Sequence, residues 1–351
     1  IRRYGMVATM VVLIALMWPT PAQAAALAGF LAFQTALMMG HLVFIGRHGR
    51  HHPWERRAAV LLALLPLALV KVTALFPTLS VGFLGVSYVT FRAVQVVVEI
   101  SDGLLTRLPV LDYLYFLTFF PTLASGPIDR SRRFAQDADL GFAPADYGRL
   151  LGRGLAQLVL GAVYKFGIAA FFAAQLPSAG TGPLGLVRSM YLYGFDLFFD
   201  FAGYSAMAVG ASAIFGIRTP PNFRLPFVAE NIKDFWNRWH ISLSFWFRDF
   251  IYTRLVMALV RRRVFANNLT ASRLAYVVNM LAMGVWHGLA VHYVLYGAYH
   301  GLLLVLHDVY ERSPLYAALK GRLWYRLLGI FVTFHLVMFG FLLFSGKLIS
   351  N

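Results

Sequence analysis

Long apolar runs alternate along this chain with short polar bursts. A helix needs roughly twenty apolar residues to cross a hydrocarbon core about 30 Å thick. Runs of that kind recur over about 5–20, 24–46, 58–76, 80–100, 110–126, 150–176, 184–216, 272–290, 291–310 and 325–346. The pattern predicts an all-α polytopic membrane protein. Several runs are poor spans: Gly82, Gly85 and Arg92 interrupt the fourth, and Phe119-Phe120-Pro121 and Ser125-Gly126-Pro127 break the fifth. Backbone freed at membrane depth survives only where protein or water covers it, so re-entrant or half-depth helices around a central cavity are expected. No internal repeat is evident, which gives an inverted-repeat transporter little support.

The stretch from Pro220 to Arg263 differs in kind, being too charged to span and too aromatic for an ordinary loop. Asp234 and Arg238 stand four apart, the spacing of an ion pair along a helix. Further on, Ile251, Tyr252, Leu255, Val256, Leu259 and Val260 recur at helical spacing, and Arg248, Arg254, Arg261, Arg262 and Arg263 surround that apolar face. The spacing predicts an amphipathic helix with a cationic edge. Such a helix suits either the membrane interface or an acidic protein partner.

Composition sharpens the picture. Of 351 residues, 59% are hydrophobic and 13% are charged, against about 25% charged in an average soluble domain. The net charge of +16 comes from 31 Lys and Arg against 15 acids. It falls in bursts between apolar runs: Arg47 to Arg57 with His48, His51 and His52, Arg130 to Arg133, and Arg261 to Arg263. Bursts of this kind fit the positive-inside rule and anionic headgroups, and speak against nucleic acid. The absence of cysteine excludes disulfides, cysteine-ligated metals and an acyl-cysteine intermediate. Ile1-Arg2-Arg3, the apolar run from Gly5 to Trp18 and then Ala22-Gln23-Ala24 imitate a signal peptide and its cleavage site. The run is read instead as a transmembrane segment of a sequence that begins inside a longer native chain.

Candidate chemistry centres on two motifs. Asp234 to Tyr252, DFWNRWHISLSFWFRDFIY, sets His240 among aromatics and charges, and Gly284-Val285-Trp286-His287-Gly288 sits inside an apolar segment. Ionisable groups at membrane depth cost at least ~2.5 kcal/mol each on insertion scales, so they mark function. His48, His51 and His52 read as solvated, and His41, His307 and His335 as hydrogen-bonded packing histidines. His292 and His300 lie close to His287 in sequence. No HExxH or comparable ligand spacing supports zinc, and the nearest acid after His287 is Asp308. Ser242 and Ser244 neighbour His240, but no G-x-S-x-G elbow is present. An imidazole acting as general base on an acceptor hydroxyl needs neither metal nor elbow, and a second histidine or an arginine can stabilise the developing oxyanion. His287 suits the first role and His240 the second, although spacing does not order them. A channel or flippase, with polar residues lining a permeation path, is the non-enzymatic alternative.

These residues resemble a known family. Asp234-Phe-Trp-Asn-Arg-Trp-His240-Ile-Ser-Leu-Ser followed by Trp286-His287-Gly288 is similar to the membrane-bound O-acyltransferase (MBOAT) superfamily, as are Phe199-Asp200-Phe201-Ala202-Gly203-Tyr204-Ser205 and the Phe119 to Pro127 run. Within it the chain most resembles the D-alanyl transferase branch of teichoic-acid D-alanylation. That likeness rests on Phe245 to Val256, Arg261 to Phe265, and Tyr293 followed by Tyr296-Gly297-Ala298-Tyr299-His300-Gly301.

The resemblance implies one membrane domain over 1–351, a ring of transmembrane and re-entrant helices around a central tunnel, in the cell membrane. It implies that His287 is catalytic and His240 its partner, with Trp236, Arg238 and Trp286 along the substrate path. It also implies a donor carried by 4'-phosphopantetheine on a small acidic acyl or D-alanyl carrier protein, with no bound cofactor and no metal. The interfacial region 232–264 would dock that carrier through Val256, Met257, Val260, Arg261, Arg262 and Arg263. The acceptor would be a hydroxyl of a cell-envelope polymer such as teichoic acid, or its lipid-linked precursor. Polysaccharide O-acetylation of the alginate-acetylase type is the alternative. That branch typically continues into a Gly-rich stretch after the Arg-Asp-aromatic motif and carries Asp where Ala206 stands here, and this chain departs from both patterns. The resemblance also implies that the family's first segment is missing from this sequence.

Overall fold

The computed structural model describes residues 2–49, 53–76, 82–180 and 182–349, so His51 and His52 lie outside the described residues. Among the described residues all regular structure is helical. The chain divides into two compact units, Ile1–Val159 with Ser205–Pro220, and Leu160–Tyr204 with Pro221–Asn351.

In the first unit, helices α1 (Arg2–Met17), α2 (Pro21–His48), α3 (Pro53–Thr73), α4 (Val86–Ser101), α5 (Val110–Thr118) and α6 (Ser131–Asp139) precede the start of α7 (Pro144–Ala162). The expected runs appear close to where the apolar pattern put them. Helix α4 is buried along nearly its whole length, and its Arg92 is only 1% exposed. The break expected at Phe119-Phe120-Pro121 ends α5, and Arg92 answers it. The guanidinium donates to the carbonyls of Phe116 (3.0 Å), Leu117 (3.0 Å) and Thr122 (2.8 Å), and also to the Thr122 hydroxyl. An arginine that interrupts an apolar run in sequence thus supplies the donors that proline and the broken turn leave wanting. Gly85, at φ +87°, lets this layer close, because a Cβ there would lie 2.2 Å from the Leu123 carbonyl oxygen.

The second unit begins with the end of α7, which runs through a π-helical turn (Val163–Ala169) into α8 (Ala170–Gln175). Helix α9 (Gly182–Ile214) follows, belonging to this unit as far as Tyr204, then α10 (Ile232–Trp236), α11 (Ile241–Phe247), a second π-turn (Arg248–Tyr252) and α12 (Thr253–Arg261). The last elements are α13 (Asn268–His287), α14 (Val291–Tyr310), the short α15 (Pro314–Leu319) and α16 (Leu323–Phe344). Helices α13 and α14 form an antiparallel hairpin with small residues at the contact. A Cβ on Gly284 would meet the Tyr293 carbonyl oxygen at 2.3 Å, and one on Gly297 would meet the Met280 carbonyl oxygen at 2.5 Å. Close backbone approach through glycine is how helices associate where lipid removes the hydrophobic drive.

Four described helices are long and apolar enough to cross a membrane by composition: Pro21–His48, Pro144–Ser178, Gly182–Ile214 and Leu323–Phe344. The pattern suggested ten, and most of the others exist as helices with polar residues inside them. Helix α14 carries His292, Tyr293, Tyr296, Tyr299 and His300, and α13 carries Arg273 and Asn279, which lower their hydropathy. Of these, Tyr293, Tyr296 and Asn279 return at the candidate site.

Candidate active site

The segment from Asn222 to Phe247 is a set of interlocked short turns. Asn231 caps α10 by accepting from the Asp234 amide (2.9 Å), and Asp234 takes the Arg238 Nε at 2.8 Å, the ion pair that the spacing suggested. Arg238 also reaches the Arg224 carbonyl (3.4 Å), while the Arg224 amide donates to the Arg238 carbonyl (3.0 Å). Ion pair and turn together fix the chain just before His240.

His240 stands at the N-cap of α11 with φ +43° and ψ +50°, left-handed backbone for a bulky residue. That conformation costs roughly 1–2 kcal/mol and persists only where surroundings over-determine it. Asn222 is the restraint. Its carbonyl accepts from the Ile241 amide (2.9 Å), and its Oδ1 accepts from the Ser242 amide (3.3 Å) and hydroxyl (2.6 Å). The Ser244 hydroxyl donates to the Trp239 carbonyl (3.0 Å), so both serines brace the turn. The imidazole, 4% exposed, lies edge-on to Phe201 with ring centroids 4.6 Å apart.

His287 comes from a different element, the last residue of α13. Its ring is set by Trp286 (4.5 Å), Phe344 (4.8 Å), Tyr293 (6.1 Å) and Tyr296 (6.2 Å). Gly288 lets the turn close, because a Cβ there would strike the Tyr293 ring at 2.5 Å. The two histidines lie near enough to act on each other electrostatically. Burial first, and then His287, hold the His240 imidazole well below its ordinary pKa, so it is neutral around pH 7. Two imidazoles within electrostatic reach of each other and ringed by aromatics can take a proton from a hydroxyl and offer an N–H to a developing oxyanion.

A cleft of about 200 Å³ approaches this pair, lined among others by Trp236, Ser244, Arg248, Asn279 and Met283. Met283 is one helical turn before His287, and Ser244 is one turn after His240. The opposite end of the hairpin is charged. Asp308 takes Arg273 (2.9 Å), Lys233 (3.3 Å) and Arg312 (3.2 Å).

Of the candidate residues, His240 and His287 converge. Trp236 lines the cleft, Trp286 packs on His287, and Arg238 is held by Asp234. On α12, Val256 is half-buried, whereas Met257 and Val260 are exposed, as are Arg261, Arg262 and Arg263 beyond them. Sequence reasoning passed over Asn222, Phe201 and Asn279. Asn222 and Asn279 are 1% and 8% exposed; an asparagine in the apolar run of α13 was the available signal for Asn279, and Asn222 offered none. His41 hydrogen-bonds to Ser101 (2.8 Å) and His335 to the Phe331 carbonyl (2.7 Å), the packing roles expected of them.

A helical, multi-pass membrane protein with a buried imidazole, a half-buried one within its electrostatic reach, and a cleft lined one helical turn from each has the makings of a group-transfer enzyme. Residues 54–346 match the membrane-bound O-acyltransferase family, and the chain belongs to it. It is 42% identical to the teichoic acid D-alanyltransferase of Bacillus subtilis over 92% of this chain and 85% of that protein. It is 43% identical to the teichoic acid D-alanyltransferase of Streptococcus thermophilus over 86% of this chain and 78% of the other. A probable alginate O-acetylase of Pseudomonas syringae is 32% identical over 64% of this chain and 42% of its own length. The chain is therefore an acyltransferase embedded in the cell membrane.

Proposed function

We propose that this enzyme transfers D-alanine from the phosphopantetheine thioester of a carrier protein to a hydroxyl of teichoic acid. The electrostatic closeness of His240 and His287, each one helical turn from a residue that lines a cleft, supports the reading. The D-alanyltransferase name of relatives matched over most of both chains supports the acyl group and the acceptor. In this reading residues 1–351 form one membrane domain, with region 232–264 at the interface on the carrier's side.

In the proposed reaction the carrier docks on α12 through Val256, Met257 and Val260, while Arg261, Arg262 and Arg263 steer its acidic surface. The phosphopantetheine arm passes along the cleft by Trp236. His287 removes the proton of the acceptor hydroxyl as that oxygen attacks the thioester carbonyl. The neutral His240 donates an N–H to the oxyanion. The attack has formed the ester C–O bond; collapse of the tetrahedral intermediate restores the C=O, breaks the C–S bond and sends the proton from His287 to the departing thiolate, so protons and charge balance.

The test is transfer in vesicles containing teichoic acid, with carrier loaded with radiolabelled D-alanine or with acetate. Label is expected in the acceptor from the D-alanyl carrier and not from the acetyl carrier. The opposite preference would move the enzyme to the polysaccharide-acetylating branch.

A further inference from the structure

A second cleft, which shares no lining residue with the first, opens where α14, α15 and α16 meet the Glu230–Ile232 turn, with a volume of about 430 Å³. That size falls within the roughly 300–1,000 Å³ of ligand sites. Its lining is graded. Leu303 on α14 with Val332 and Leu336 on α16 form an apolar wall, while Tyr310, Tyr316, Tyr325, Lys320 and Arg326 gather at the other end. Both helices report the same direction, since polarity rises along α14 towards its C-terminus and along α16 towards its N-terminus.

The polar end is built for an anion. Arg326 is spoken for, because Glu230 Oε1 takes its Nε (2.9 Å) and Nη2 (2.7 Å). Lys320 has no acidic partner among the described residues and is exposed at the rim. The Tyr325 hydroxyl donates to that of Tyr310 (3.0 Å), which leaves the Tyr310 hydroxyl its own proton to give. One uncompensated ammonium and a cluster of phenols thus stand above an apolar trough. From Arg326 to Leu336 the trough runs ten residues of α16, about 15 Å, or half of a ~30 Å hydrocarbon core. The Arg273–Asp308 bridge fixes the start of α13 beside the end of α14, so the polar end shares a face of this unit with Arg261–Arg263. The positive-inside rule assigns that face to the cytoplasm.

We propose that this cleft binds an anionic phospholipid of the cytoplasmic leaflet, its phosphate on Lys320 and the tyrosine hydroxyls and one acyl chain along the α14–α16 trough. The cytoplasmic leaflet is where anionic lipids concentrate, and the gradient of the lining follows that of a lipid molecule.

Native mass spectrometry of the purified chain tests it, with phosphatidylglycerol and phosphatidylcholine offered separately. The wild type retains phosphatidylglycerol in preference to phosphatidylcholine. Lys320→Gln removes one charge and lowers retention about fivefold, Lys320→Arg restores it, and Val332→Trp, which fills the trough, abolishes it. Arg153→Gln, an exposed cation on α7, leaves retention unchanged. Thermal melting of each variant establishes that it is folded. Equal retention of the two lipids, or undiminished retention in both Lys320→Gln and Val332→Trp, overturns the proposal.

Discussion

The chemistry of this enzyme hangs on how a few side chains are held. His240 occupies left-handed backbone without glycine's freedom, and Asn222 is what holds it there through three hydrogen bonds. Removing that side chain takes away the Oδ1 that accepts from the Ser242 amide and hydroxyl, at a cost of about 1–3 kcal/mol. Asn222→Ala is therefore expected to lower the melting temperature and to cut the transfer rate at least about tenfold, with carrier affinity unchanged. A stability scan paired with a transfer assay reads both, and full activity in the variant would sever His240's geometry from catalysis. Residues of this kind were hard to see in the sequence. His240 and His287 stood out as ionisable rings in apolar context, but Asn222 lies in a polar linker and its role appears only when the chain folds back.

The elements were far more legible. Apolar runs gave nearly every long helix within a few residues, and Phe119-Phe120-Pro121 gave the break after Thr118, because proline and hydropathy act locally. What answers the break did not show: Arg92 reads as a flaw in α4 until its carbonyl partners, all more than twenty residues away, are in place. The amphipathic stretch likewise came out in pieces. A π-turn over Arg248–Tyr252 separates α11 from α12, a detail that periodicity alone does not carry. Helix α12 buries none of its residues and leaves Met257 half exposed, a face still open to a partner. Met257→Glu with Val260→Glu is expected to weaken carrier binding about tenfold, with turnover at saturating carrier retained. Titration of fluorescent carrier at two salt concentrations checks this, and unchanged affinity would remove α12 from the docking surface.

At the scale of the molecule, the arrangement divides labour. Glycine contacts bring α13 and α14 together, the charged network around Asp308 secures one end of that hairpin, and the aromatic surround of His287 forms the other. The site therefore draws on elements far apart in sequence, which is why its composition could be guessed and its geometry could not. Single-turnover transfer from loaded carrier by His287→Ala tests the central claim most directly. The account predicts that transfer falls by at least about 10²–10⁴-fold, the usual worth of a general base, in protein that melts normally and binds carrier like the wild type. Transfer at the wild-type rate in that variant would contradict it.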